Sequence, residues 1–282
     1  MSKIKLFTDS TCDLTNEIIE KYDISVVPLY VHFNDDAFKD RVEINTEELY
    51  KKVEEYGILP MTAAPSPGDF YNAFKPFVDE GREILYIGIS SLISSTVQNA
   101  TIAKGDFKDA KIEIVDSFNL SNGVGLLLFK AVDLIAEDMQ LEEIGEALRA
   151  MIPKVRTSFV VDTLDYLYKG GRCSAVQHFF SSLLKIHPII KIEDGKMVVG
   201  EKVRGKMEKA LDLMIDDIIL MKNKIDCNRI FLPNSLALDS VEYVRSALEK
   251  EMDNPEFIVC ETGCVVSSHC GKNTLGIIYL EK

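Results

Sequence analysis

Residues 84–96 read ILYIGISSLISST, an unbroken apolar run (Ile84–Ile89) that passes directly into a turn crowded with hydroxyls. Continuous apolarity of this length is the pattern of a strand buried on both faces, as in a parallel sheet covered by helices. Ser90, Ser91, Ser94, Ser95 and Thr96 then place five hydroxyls in seven positions, and a helix is predicted from about Ser94 to Lys104. The same grammar recurs on either side. Ile4–Thr8 is an apolar strand that ends at Asp9-Ser10-Thr11, with helix signals from Thr15 and Glu17 in the first turn. Ser25–Val31 is a second β-rich run, and Asn45 with Glu48 forms a capping-box pattern for a helix through Tyr56. Ile112–Val115 is a further strand, running into Asp116-Ser117, and helical sequence covers roughly 123–137 and 141–151. Alternation of strand and helix predicts a mainly parallel sheet with helices on both sides, a three-layer α/β/α domain over residues 1–153.

Near Pro153 the grammar changes. Short strands are predicted at 158–161, 188–192, 197–199, 229–232, 257–260 and 276–280, with helices at about 175–184, 206–222 and 240–251. Glu193-Asp194-Gly195-Lys196 joins two β runs and reads as a hairpin turn. The expectation is a second α+β domain over 154–282 with a largely antiparallel sheet. No Pro/Gly/Ser-rich linker separates the halves, so they are expected to pack closely. A separate signal lies at Val161–Arg172, VDTLDYLYKGGR. Here a short helical run stops at two glycines, which supply a left-handed cap and let the backbone pass close to another group. Arg172 follows at once, a guanidinium beside a tight corner, suited to a carboxylate or phosphate. An ordinary helix stop with a surface Arg fits the same residues.

The chain has 282 residues, 46% of them hydrophobic, and Lys+Arg 32 against Asp+Glu 45 gives a net charge of −13. An acidic balance disfavours nucleic acid and anionic membranes, whose phosphates need a basic face. The opening MSKIKLFTDS has no apolar signal-peptide core, and runs such as Val124–Phe129 are too short to span a bilayer. The expectation is a soluble cytoplasmic protein. Cys12, Cys173, Cys227, Cys260, Cys264 and Cys270 are scattered, as reduced packing thiols are. Cys260, Cys264, His269 and Cys270 lack a C-x2-C knuckle, so no metal site is expected.

The chemistry is expected where the first-half strands end, because ligands of parallel sheets bind at the carboxyl edge. Hydroxyls and helix N-terminal amides there hold an anion without a cation, although each Ser or Thr is equally a helix cap. The loop from Pro60 to Phe70 contains three prolines, which stiffen it and would present the Thr62 hydroxyl in one place. The helix at Asp69–Phe77 follows, with Ser66 as a candidate cap. There is no nucleophile elbow, no P-loop, no H-E-x-x-H and no dinucleotide fingerprint. The histidines are His32, His178, His187 and His269. A Ser/His hydrolase would pair His269 with Ser94 or Ser95, with no assignable acid. His269 is expected in a loop between two late strands.

These residues together resemble the DegV family of fatty-acid-binding proteins over nearly the whole chain. The resemblance rests on Thr8-Asp9-Ser10-Thr11 with Asp13, Thr62 through Phe70, Ser90–Thr96 and Asp116-Ser117. It continues through Thr163-Leu164-x-Tyr166-Leu167, Gly170-Gly171-Arg172, the run from Leu183 to Ile189, Lys202-Val203-Arg204 and His269. It implies a two-domain DegV-like fold holding one long-chain fatty acid (C14–C18) in an apolar tunnel between the domains. It implies carboxylate capture by Thr62 and Ser94, with the Ser95 amide as a helper and His269 and Arg172 close by. It also implies a carrier rather than an enzyme, with no cofactor, that presents the acid to a fatty acid kinase for acyl-phosphate formation in phospholipid synthesis. Arg204 matches a position associated with that encounter. The chain departs from the family with Ser94-Ser95-Thr96 for Ser-Gly-Thr, Thr62-Ala63-Ala64-Pro65 for Thr-Ser-Gln-Pro, and Cys270-Gly271-Lys272-Asn273 after the histidine. Lys272 could face the head group or water. Two other classes fit: a kinase-related enzyme or hydrolase using His269, and a regulatory lipid-sensing protein.

Overall fold

A computed structural model describes residues 3–173, 186–226 and 229–282. The helix expected at about 175–184, the Leu183–Lys185 part of the family resemblance, His178 and Cys227 lie outside the described residues. The first sheet is parallel, in the order β2 (Ser25–Val27), β1 (Ile4–Asp9), β6 (Glu83–Gly88), β7 (Ile112–Asp116). All six residues of β1 and all six of β6 are buried, the outcome expected for strands covered on both faces. One face carries α3 (Pro67–Asp79) and α4 (Thr96–Lys104), through Phe70, Phe74 and Val97 packed on Phe7 and Tyr86. The other carries α5 (Asn122–Ala136) and α6 (Leu141–Met151), through Leu127, Ile144 and Leu148 packed on Leu85 and Ile87.

The second sheet has six strands. Its order is β10 (Lys196–Arg204), β9 (Ile186–Glu193), β8 (Val155–Val160), β13 (Thr274–Leu280), β11 (Arg229–Ser235), β12 (Glu256–Glu261). Every pairing is antiparallel except β11 with β12. Helices α8 (Glu208–Met221) and α9 (Leu238–Glu251) cover one face, with Leu211, Met214 and Val244 on Ile230, Leu232 and Ile277. The opposite face meets α5: Phe231, Ile278 and Leu280 share a core with Leu127 and Leu128. That helix is therefore sandwiched between the two sheets, which explains why Val124–Leu128 is apolar on every side. The architecture is the mixed α/β one expected, a parallel sheet joined to a mostly antiparallel one.

Three local readings are corrected. Ser25–Val31 is not one strand. It breaks at Pro28, which has no N–H for a ladder, into β2 and β3 (Tyr30–Phe33). The latter forms a separate three-stranded sheet, β4-β3-β5, with β4 (Asp36–Lys39) and β5 (Met61–Ala63). The proline-rich segment thus contains a short strand, and it presents Thr62 from a sheet edge rather than from a free loop. His269 lies not in a loop but in the last turn of α10 (Cys264–Cys270). Valines and serines there are weak helix formers, and tertiary packing overrides them. The remaining helices are α1 (Asn16–Lys21) behind its Thr15 cap, α2 (Thr46–Tyr56) with the Asn45/Glu48 capping box, and α7 (Asp165–Gly170). Among the described residues no helix is long and apolar enough to cross a membrane.

Candidate functional site

A narrow cavity of about 840 Å³ of empty space, solvent at its mouth included, runs between the two halves of the chain. Its lining is mostly apolar: Leu29, Ile89, Ile93 and Leu120 from the first half, Phe159, Leu167, Met197 and Val265 from the second, with Ser121, Thr157, Ser158, Thr262 and Thr274 among them. Thr62, Ser94, Arg172 and His269 all line it too, although they come from four separate segments. Ser95 is exposed and does not line it. Lys272 faces solvent, and Arg204, exposed at the end of β10, also lies off the cavity.

Each polar group is held by its own local logic. Thr62 pairs in register with Val31 on β3. The following Pro65 carbonyl accepts Asn99 Nδ2 at 2.7 Å, which ties this segment to α4. The Ser90–Ser94 turn is closed by Ile93 N–H and Ser94 N–H donating to the Ser90 carbonyl, both at 3.0 Å. Ser94 Oγ then lies 2.7 Å from Thr96 Oγ1 and accepts the Thr96 N–H at 3.3 Å, so it braces the turn just ahead of α4 while lining the cavity. Asp9 is fully buried and accepts from Tyr86 O–H at 2.8 Å and Ile89 N–H at 3.0 Å. Burial pushes its carboxyl upward despite those bonds. The Thr8–Thr11 hydroxyls expected at the ligand are instead spent inside the protein, on Ile87 O, Leu29 N–H and Asp9.

Helix α10 carries His269, and its other end is gripped by two carboxylates from the first half. Gly263 N–H donates to Asp13 Oδ1 and Cys264 N–H to Asp40 Oδ1, each at 2.7 Å. Ser121, which lines the cavity, donates to Asp13 Oδ2 at 2.6 Å. Burial pushes Asp13 up to about 7, opposed by these bonds. Along the flank of the helix runs a buried hydroxyl chain. Tyr50 Oη lies 2.6 Å from Ser235 Oγ, which lies 2.9 Å from Ser267 Oγ, itself 2.8 Å from Thr262 Oγ1. Nothing in the sequence announces that chain, because its members come from three distant segments.

At the far end of α10, His269 Nε2 lies 2.8 Å from Thr62 Oγ1. Its Nδ1 is sealed from solvent without a partner among the described residues. Burial first, and the Arg172 charge second, lower its pKa to about 4. The imidazole is therefore neutral at pH 7. Two glycines make this packing possible. A Cβ on Gly170 would sit 2.2 Å from His269 Nδ1, and one on Gly271 would sit 2.8 Å from the Tyr166 ring. Each helix end thus closes on an aromatic ring of the other. Gly171, at φ 67°, is the left-handed cap of α7, and Arg172 Nη1 donates back to the Gly170 carbonyl at 2.8 Å. The corner read from the double glycine is present, with the close approach made to a histidine.

Ser94 pairs with Thr96, and His269 with Thr62, so the Ser94–His269 contact of a serine hydrolase is not made. Among the described residues no three His, Cys, Asp or Glu side chains gather as a metal-ligand set. Cys264 Sγ donates to the Ile44 carbonyl, while burial pushes Cys260 and Cys270 up to about 12.

The model of the family described as "Uncharacterised protein, DegV family" matches residues 3–282. The chain belongs to the DegV family. A DegV domain-containing protein of Clostridium acetobutylicum is 38% identical, with 100% of both chains covered. Among solved structures, a DegV family protein of Thermus thermophilus described as fatty-acid-binding superposes with a TM-score of 0.91 at 30% identity, covering 100% of both chains. A stearic-acid-binding protein of Eubacterium ventriosum superposes with a TM-score of 0.86 at 26% identity, covering 100% of this chain and 99% of that one. This architecture, a parallel sheet joined to a mostly antiparallel one, is the DegV fold.

Proposed function

We propose that this chain binds one long-chain fatty acid in the cavity between its halves, tail inward and carboxylate at Thr62 and Ser94. The observation that carries the reading is a mostly apolar cavity on which Thr62, Ser94, Arg172 and His269, from four distant segments, all converge among its other hydroxyl-bearing lining residues. An acyl tail gains about 0.8 kcal/mol per buried CH₂, so affinity comes mainly from the tail. The head group then needs only orientation. Two hydroxyls and a neutral imidazole orient it without an ion pair at those positions, and an unpaired carboxylate stays nucleophilic. Arg172 stands near but is engaged with the Gly170 carbonyl. In this reading residues 1–153 and 154–282 act as two domains, and Ser95, exposed beside the turn, is peripheral. Fatty-acid binding by the Thermus thermophilus DegV protein at 30% identity and by the stearic-acid-binding protein at 26% supports the ligand class.

The downstream role is carriage in the cytoplasm, with the acid offered to a fatty acid kinase that forms an acyl phosphate. It rests on the family resemblance, with Arg204 as the partner contact. Organic extraction of the purified protein followed by mass spectrometry tests the ligand. A C14–C18 monocarboxylate at about one per chain is expected. No acyl chain in repeated preparations, together with no binding of added stearate, would overturn the reading.

A further inference from the structure

At the cavity, His269 Nδ1 is sealed from solvent and has no hydrogen-bond partner among the described residues. A buried polar nitrogen without a partner is rare and calls for a reason. The neighbour that closes on it is Gly170, where even a methyl group would lie only 2.2 Å from the nitrogen. A hydrogen on Nδ1 would point at that backbone with no acceptor in front of it. A bare nitrogen takes less room and meets weakly polar Cα–H groups instead. The other ring nitrogen has a partner that works in either direction, since Thr62 Oγ1 both donates and accepts.

We propose that Gly170 is a positioning residue that holds His269 in a single tautomer, with the proton on Nε2, and so aims the Thr62 hydroxyl into the cavity. With Nε2–H donating to Thr62 Oγ1, the threonine's own proton is free to be given to a ligand acceptor. The opposite tautomer consumes that proton on the ring and leaves the cavity facing lone pairs, which repel a carboxylate. Arg172 completes the arrangement. By donating to the Gly170 carbonyl it fixes the corner that presses on Nδ1, and its charge disfavours a second proton on the ring. The double glycine is, in sequence, a left-handed cap and a point of close backbone approach. The structure adds that the first glycine selects a protonation state 99 residues away in the chain. The consequence for the ligand rests on the fatty-acid reading, but the tautomer itself does not.

The test is ¹⁵N NMR of the imidazole in the ligand-free wild-type protein at neutral pH. The expected result is one tautomer, Nε2 protonated and Nδ1 bare, and the same tautomer in Thr62→Val. A proton on Nδ1, an even mixture of the two forms, or an imidazolium would overturn the proposal whether or not the protein binds fatty acid. Gly170→Ala provides the second arm. It should displace the ring, mix the tautomers and weaken stearate binding at least about ten-fold, the worth of one oriented hydrogen bond. Should that variant fail to fold, the wild-type spectrum still decides. Normal tautomer with no stearate binding in the wild type would sink the ligand reading and leave the tautomer assignment intact.

Discussion

The Asp13 carboxylate accepts the backbone N–H of Gly263 at 2.7 Å, across 250 positions of chain. This bond fastens the first loop of the parallel sheet to the start of the helix that ends in His269. The histidine's place at the cavity is thus set in part from the opposite half of the molecule.

Because Asp13 is buried, its carboxyl rises from 3.8 to about 7 in the folded protein. The folded state therefore holds a proton that the unfolded state has released. That contribution is complete below pH 3.8 and is lost as pH rises towards about 7. Asp13→Asn keeps the shape and removes the titration. Relative to the wild type, the variant should gain stability between pH 4 and 7, on the order of a few kcal/mol. Denaturant melts of both proteins across that range give the difference directly. Parallel curves would show that Asp13 does not titrate as described.

Removing either head-group hydroxyl should weaken binding of a fatty acid by about 1.5–3 kcal/mol, roughly ten- to a hundred-fold. Calorimetric titration with stearate measures it. The two variants should differ in the ligand-free state. Thr62→Val leaves the buried His269 Nε2 without its partner, so the ligand-free protein should lose about 1–3 kcal/mol. Ser94→Ala loses the bonds to Thr96 in the turn ahead of α4, a smaller loss of about 0.5–1.5 kcal/mol. Equal melting shifts would contradict that division.

The β9–β10 hairpin docks on the Ser90 turn that carries Ser94. Ser90 Oγ donates to the Gly195 carbonyl at 2.8 Å, and Gly195 sits at φ 78°. A Cβ there would lie 2.6 Å from Phe118 and 2.9 Å from Ser90 Oγ. Gly195→Ala should destabilise the protein by about 1–3 kcal/mol and loosen the turn. It should also speed stearate release, measured by stopped-flow exchange against a fluorescent acid. Unchanged release in a destabilised variant would separate the hairpin from the site.

Arg204 is exposed and away from the cavity. Arg204→Ala should leave stearate affinity unchanged and slow acyl-phosphate formation by a partner kinase in a coupled assay. An affinity loss, or full kinase activity, would contradict the role proposed for it.

What was legible in the sequence followed from local rules. Six apolar residues at 84–89 required a doubly covered strand, and Asn45 with Glu48 required a helix start. The double glycine announced a close approach, though not its partner. What escaped was decided at long range. Helix α10 forms from poor helix formers because Asp13 and Asp40 satisfy its first N–H groups from the other half. Thr62 lies on a strand because β3 supplies a ladder partner that Pro28 had cut from β2. Of the hydroxyls at 90–96, Ser94 reaches the cavity. Ser90 and Thr96 are occupied with the hairpin and with Ser94, and spacing alone does not distinguish them.

The most direct measurement compares stearate with methyl stearate by native mass spectrometry and calorimetry, in the wild type and in Thr62→Val. One stearate per chain should bind the wild type, with the methyl ester weaker by about ten-fold or more because it presents no carboxylate to the two hydroxyls. That preference should shrink in the variant. Equal affinity for acid and ester in both proteins, or no binding of either, would show that the polar end of this cavity is not a carboxylate site.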